Sequence, residues 1–124
     1  MTWRSEMGQR KILVVEDDAL IAMELGERLA DLGYDVLGPA HSIAEAEHLL
    51  ASHKPDAALL DANLAGVSSV PLGVRLSDMG VPIAFCTGYD RIKDLPPALA
   101  SAPLLTKPIG DDDLIKAVKD LVGA

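Results

Sequence analysis

The 124-residue sequence predicts one α/β domain built on a doubly wound, five-stranded parallel sheet. Three observations carry that expectation. Short apolar runs alternate along the chain with segments whose apolar residues recur every three or four positions. The runs are continuously apolar, as in Ile12-Leu13-Val14-Val15 and Ala57-Ala58-Leu59-Leu60, so both of their faces are buried, as parallel strands require. The length and the 49% hydrophobic content suit one well-filled core and exclude a disordered chain.

Residues 1–9 show no periodicity and read as a flexible tail, with the domain proper over residues 10–124. Lys11 to Val15 is the first strand, ending on Glu16, Asp17 and Asp18. From Asp18 the period becomes helical: Ala22, Leu25, Leu29 and Leu32 share one face, and Gly33 stops the helix. Tyr34 to Ala40 reads as the second strand. Ser42 and Glu45 have capping-box spacing and open a helix lined by Ile43, Ala46 and Leu50. The third strand ends on Asp61. Leu72, Leu76 and Met79 mark the next helix, with Pro71 tolerated in its first turn and Gly80 closing it. Val81 to Thr87 is the fourth strand. Pro96-Pro97 breaks any long helix in residues 88–102, although a short one fits around it. Leu104 and Leu105 form a brief last strand before Lys107-Pro108. The last helix spans Asp111 to Val122, with Leu114, Val118 and Leu121 inward and its acids at the N-terminus, where the macrodipole favours them.

This pattern is β-α repeated five times. The sheet order 2-1-3-4-5 is one common solution, and its switch point between strands one and three brings Asp17 and Asp18 beside Asp61. Ligands bind at that carboxyl end of the sheet.

Composition narrows the function. A net charge of -8 argues against direct nucleic-acid binding, which needs a basic surface. No apolar run approaches membrane-spanning length and no signal-peptide core is present, so no membrane partner and a cytoplasmic location are expected. The single cysteine, Cys86, excludes an internal disulfide and reads as a small core residue. His41, His48 and His53 lack metal-ligand spacing, and Asp111 to Asp113 reads as a helix-terminal charge cluster.

What remains is a coherent constellation at strand ends: Asp17, Asp18, Asp61, Thr87 and Lys107. An oxygen-rich set without histidine or thiol suits a hard cation, Mg²⁺ or Mn²⁺. A carboxylate beside such an ion can take a phosphoryl group, with the Lys107 ammonium neutralising the incoming charge and the Thr87 hydroxyl donating to it.

Val14-Val15-Glu16-Asp17-Asp18, Leu60-Asp61, Thr87-Gly88 and Lys107-Pro108, in this order and spacing, resemble the receiver domain of two-component response regulators, the CheY-like family. The resemblance covers residues 10–122 and implies the flavodoxin/CheY-like (βα)5 fold. It implies Asp61 as phosphoacceptor and Asp17, Asp18, Asp61 and the Asn63 backbone carbonyl as metal ligands, one Asp acting through water. It also implies Thr87 as switch hydroxyl, Lys107 as phosphate-binding ammonium and a cis Lys107-Pro108 bond that aims the lysine. The implied donor is a histidine kinase or a phosphotransfer protein, followed by slow autodephosphorylation rather than turnover of a substrate.

The family's usual aromatic three residues before the lysine is Leu104 here. Pro82-Ile83-Ala84-Phe85-Cys86-Thr87-Gly88-Tyr89 resembles the "FAT GUY" subclass, which lacks that aromatic and pairs with HWE-type or related kinases. Phe85, Gly88, Tyr89, Leu104 and Pro108 are therefore expected to modulate switching, Tyr89 in place of the absent aromatic. Hydrolysis of the acyl phosphate is expected to depend on Asn63 and Tyr89.

Other classes fit less well. An aspartate-nucleophile phosphatase needs a second Asp where Asn63 stands. A flavin carrier needs a hydroxyl- and glycine-rich loop after the first strand, where three acids would repel phosphate. A pseudo-receiver that binds partners without phosphorylation is the alternative that Leu104 keeps open. The chain ends two residues after Val122, so no attached output domain is expected: a stand-alone regulator, a phosphate shuttle or an excised receiver.

Overall fold

The computed structural model describes residues 9–89, 92–93 and 95–123. Seven strands and four α-helices follow in chain order: β1 (Lys11–Val15), α1 (Ala19–Asp31), β2 (Asp35–Ala40), α2 (Ile43–Leu50), β3 (Ala57–Asp61), β4 (Asn63–Leu64), β5 (Val67–Ser68), α3 (Val70–Asp78), β6 (Ile83–Thr87), β7 (Leu104–Thr106) and α4 (Asp111–Val122). The main sheet is β2-β1-β3-β6-β7, parallel throughout. This is the expected 2-1-3-4-5 once the antiparallel β4-β5 hairpin is set apart.

Alternation along each central strand sends successive residues to opposite faces. Leu13, Val15, Ala58, Leu60, Ile83 and Phe85 pack with Ala46 and Leu50 of α2 and Leu72 and Leu76 of α3. Ile12, Val14, Ala57, Leu59, Ala84 and Cys86 pack on the other face with Leu25 and Leu29 of α1 and Leu114, Ala117 and Val118 of α4. Two helices on each face explain why the strand runs are apolar without a break.

Several local expectations hold. The Glu45 N–H donates to Ser42 Oγ (3.1 Å) at the start of α2. Pro71 lies in the first turn of α3, where no N–H is missed. Gly33 and Gly80 follow helix ends with φ of 95° and 79°, values that glycine reaches without strain.

The differences have local causes. Between β6 and β7 the described residues hold a single 3₁₀ turn, Pro97–Leu99, so the (βα)5 pattern is four α-helices and one such turn. Pro96-Pro97 removes two backbone donors and disfavours helix before it. The fourth strand begins at Ile83 rather than Val81, because Pro82 has no N–H for the ladder, although its carbonyl accepts from Ala58 (3.0 Å). The second strand begins at Asp35, since the Tyr34 N–H donates back to the Leu29 carbonyl (3.1 Å). Leu32 caps α1 and is exposed rather than inward. Gln9, assigned to the tail, donates its side-chain amide to the Gly33 carbonyl (2.9 Å), while residues 1–8 lie outside the described residues. The β4-β5 hairpin turns through Ala65 and Gly66, both with positive φ (52° and 90°), a two-residue turn whose twist suits tightly paired strands.

Candidate functional site

Three of the four long strands of the sheet end on, or one or two residues before, a polar side chain of the site, and the short β7 precedes Lys107. Glu16 and Asp17 follow β1, Asp61 closes β3, Thr87 closes β6, and Lys107 follows β7. Parallel pairing aligns these ends: Val15 faces Leu60, Asp61 faces Cys86 and Thr87 faces Thr106. The Lys107 N–H donates to the Thr87 carbonyl (2.7 Å), extending that alignment by one residue. The Lys107-Pro108 bond is cis.

The Lys107 ammonium donates to Asp61 Oδ2 (2.9 Å) and to Glu16 Oε1 (2.6 Å). Asp61 is 8% exposed and Glu16 3% exposed, so this is a largely desolvated triad of one cation and two carboxylates. Carboxylate oxygens of Glu16, Asp17 and Asp61 all lie within 4.8 Å of one another. Two carboxylates also take backbone donors: the Asn63 N–H reaches Asp61 Oδ1 (3.1 Å) and the Asp18 N–H reaches Glu16 Oε2 (3.1 Å).

Charge and burial compete here. Burial raises the Glu16 pKa, the Lys107 hydrogen bond opposes that rise, and the neighbouring Asp61 adds to it; the net direction is upward from 4.5. Burial alone would lower Lys107, but its hydrogen bonds to Glu16 and Asp61 and their charges outweigh it and carry it above 10.5. Lys107 is therefore a held cation at neutral pH.

The expected ligand set changes by one residue. Asp18 is not in the cluster, because its Oδ1 accepts from the Leu20 (2.9 Å) and Ile21 (3.0 Å) N–H groups as the N-cap of α1. Glu16 stands in its place. The signal was in the sequence: an Asp immediately before a helical period is a cap, and the acid that directly follows the last strand residue is the one that points into the switch-point crevice.

The remaining residues fall around this centre. Thr87 is buried and its Oγ1 accepts from the Tyr89 N–H (3.1 Å). Tyr89 is 78% exposed. A Cβ at Gly88 would meet no atom within 4 Å, so the backbone there lies open. Phe85 is fully buried and pairs with Leu104, the residue that occupies the family's aromatic position. Asn63 opens the hairpin and its Oδ1 accepts from the Gly66 N–H (2.6 Å). Pro108 is exposed at the rim.

The donor set is oxygen throughout, with no thiol or imidazole. That chemistry fits Mg²⁺ or Mn²⁺, which take one or two carboxylates and keep several waters. No helix among the described residues is long and apolar enough to cross a membrane.

Known proteins resemble this chain in sequence and in fold. The chain is 32% identical over 114 residues to the transcriptional regulatory protein PdtaR of Mycobacterium tuberculosis, covering 89% of this chain and 55% of that protein. It is 33% identical over 112 residues to the positive alginate biosynthesis regulatory protein of Pseudomonas aeruginosa, covering 87% and 45%. The chain thus spans about half the length of the curated relatives it matches. Among solved structures, the PhyR response regulator REC domain of Erythrobacter litoralis superposes with a TM-score of 0.82 at 28% identity, over 95% of this chain and 93% of that one. SdrG of Sphingomonas melonis Fr1 does so with a TM-score of 0.76 at 34% identity, over 91% and 96%. Residues 12–119 match the family model of the response regulator receiver domain, and the chain belongs to that family.

Proposed function

We propose that this receiver domain accepts a phosphoryl group on Asp61 from a phosphohistidine, carried by a histidine kinase or a phosphotransfer protein. The observation that carries this reading is the Lys107 ammonium bridging Asp61 and Glu16 at 2.9 and 2.6 Å, with Asp17 in the same cluster. Three carboxylates stand against one ammonium in this cluster, so it receives a phosphoryl group only with a divalent cation bound.

The cluster of Glu16, Asp17 and Asp61 would hold Mg²⁺ or Mn²⁺, together with the Asn63 backbone carbonyl. When bound, such an ion supplies positive charge against the phosphoryl oxygens. The Asp61 carboxylate attacks phosphorus, an oxygen–phosphorus bond forms, and the phosphorus–nitrogen bond to the donor imidazole breaks. The imidazole leaves with the electron pair and takes a proton from solvent. Lys107 keeps its positive charge throughout and turns from the carboxylate toward the incoming oxygens. The Thr87 hydroxyl, which now accepts from Tyr89, is free to donate its own proton to one of those oxygens.

The added charge then shifts the balance between two arrangements of residues 88–89, 95–102 and β7. Leu104 offers no aromatic side chain for that shift. Tyr89, exposed beside Thr87, is the side chain placed to report it, in line with the "FAT GUY" pattern and an HWE-type kinase partner. Gly88 and the Phe85–Leu104 pair are the other modulating positions, with Pro108 at the rim. Water then hydrolyses the acyl phosphate slowly, so the domain is a phosphoacceptor rather than an enzyme acting on a substrate, and its place of action is the cytoplasm.

The test is intact mass after incubation with acetyl phosphate and Mg²⁺, on the native chain and on Asp61→Asn. One phosphoryl adduct that requires Mg²⁺ and is lost in Asp61→Asn supports the reading. No adduct at any time point, together with no Mg²⁺ binding, makes the domain a pseudo-receiver.

A further inference from the structure

The loop that carries Lys107 is tied down by a residue that the proposed transfer does not use. Arg28 lies in the last turn of α1. Its Nη2 donates to the Ile109 carbonyl (2.9 Å) and to Asp111 Oδ1 (2.7 Å), and its Nη1 lies 3.6 Å from Glu24 Oε1 on its own helix. The guanidinium therefore grips the chain on both sides of Gly110. As the N-cap of α4, Gly110 has no side chain with which to close that helix start.

The inner side of this tether is hollow. A cavity of about 340 Å³ lies between α1, the sheet and the loop, bounded by Leu25, Leu59, Cys86, Pro108 and Ile109 and reaching Asp61 and Lys107. Of the loop, Ile109 packs against the core beside that cavity, while its neighbours Pro108 and Gly110 are exposed. Among the described residues, the side-chain hydrogen bonds that reach residues 108–111 from another element both come from Arg28. The Lys107 stem is flexible, so the reach of its ammonium depends on where its backbone is held. That dependence grows once Asp61 is phosphorylated, because the 2.9 Å pair with Asp61 must be remade to phosphoryl oxygens.

We propose that Arg28 is a positioning residue for phosphoryl transfer: by pinning Ile109 and Asp111 across the cavity it sets where the Lys107 ammonium can act. This rests on the reading of Asp61 as phosphoacceptor. Arg28 is 23% exposed and touches none of the reacting atoms, so it acts only through the loop.

Two readouts on Arg28→Ala and Arg28→Lys test it. The first is the rate of phosphoryl uptake from acetyl phosphate with Mg²⁺, by intact mass. Arg28→Ala is expected to slow uptake between about tenfold and a hundredfold, as a displacement on the order of 1 Å does at a preorganised site. Arg28→Lys, which restores one donor, should recover part of the rate. The second is competitive acylation of lysines, read by peptide mass, which needs no phosphorylation. Lys107 labelling should rise several-fold in Arg28→Ala relative to Lys54 and Lys119 in the same chain. Unchanged Lys107 labelling, or an equal rise at all lysines, overturns the proposal, the latter by marking a general loosening. A native chain that takes up no phosphoryl group fails the phosphoacceptor reading instead, and the labelling ratio alone then decides whether Arg28 positions Lys107.

Discussion

Lys107 donates to two buried carboxylates, Glu16 Oε1 at 2.6 Å and Asp61 Oδ2 at 2.9 Å, and the hydrogen bond to Glu16 opposes the rise that burial imposes there. The folded pKa values of Lys107 and Glu16 both lie above their unfolded values. For such a group the folded state holds its proton more tightly, so its contribution is complete below the unfolded pKa and is lost as pH rises through the folded one. The window opens at 10.5 for Lys107 and at 4.5 for Glu16. Lys107→Met should lower the unfolding free energy by about 2 kcal/mol at neutral pH with chelator present, because two carboxylates lose their counter-charge in a site only partly open to water. The gap to the native chain should close as pH climbs beyond 10.5, which denaturation at a series of pH values would read. Cys86 is shifted in the same direction: burial pushes its thiol up to about 12, and the charges of Lys107, Asp61 and Glu16 only modify that. It should resist iodoacetamide in the native chain at mildly alkaline pH and react once urea unfolds it; rapid native labelling would show that the cavity beside it admits reagents. Glu16 and Asp18 are two residues apart in sequence but differ wholly in task, since one follows the strand and the other caps the helix.

Each element places its site residue through its own packing. Strands β1, β3 and β6 are buried on both faces, so their register cannot slip without exposing apolar side chains, and their ends stay aligned. Helix α3 approaches that sheet closely at Gly73. A Cβ there would meet Ile83 Cδ1 at 2.8 Å and Phe85 Cζ and Leu99 Cδ1 at 3.1 Å. Gly73→Ala should therefore destabilise the fold by about 1–3 kcal/mol through overpacking, more than the roughly 1 kcal/mol that alanine gains in helix propensity. A thermal melt that rises instead would mean that the three side chains yield freely. In the hairpin, Ala65 occupies a left-handed conformation (φ 52°) that costs an alanine side chain more than a glycine. Ala65→Gly is expected to be neutral or to stabilise by about 0.5 kcal/mol, measured by chemical denaturation.

Across the whole molecule, the parallel sheet gathers residues that are 46 and 91 positions apart in sequence onto one ammonium. Its helices cover both faces and leave the carboxyl edge for chemistry. Mg²⁺ should stabilise the native chain by mass action, about 2.7 kcal/mol at a hundred times its dissociation constant, and Asp61→Asn should reduce that gain. Thermal melts over a Mg²⁺ series check this; an equal shift in both chains would place the ion elsewhere. The sequence by itself determined the fold class and the order of its elements, because strand burial and helix period are written in local apolar spacing, and it set the acids, Thr87 and Lys107 at strand ends. Only the tertiary structure decided that Arg28 holds the Lys107 loop and that one 3₁₀ turn is the only helical structure described between β6 and β7. Those outcomes depend on which donor reaches which acceptor once the elements are packed, and that is set by distances in space rather than by spacing along the chain.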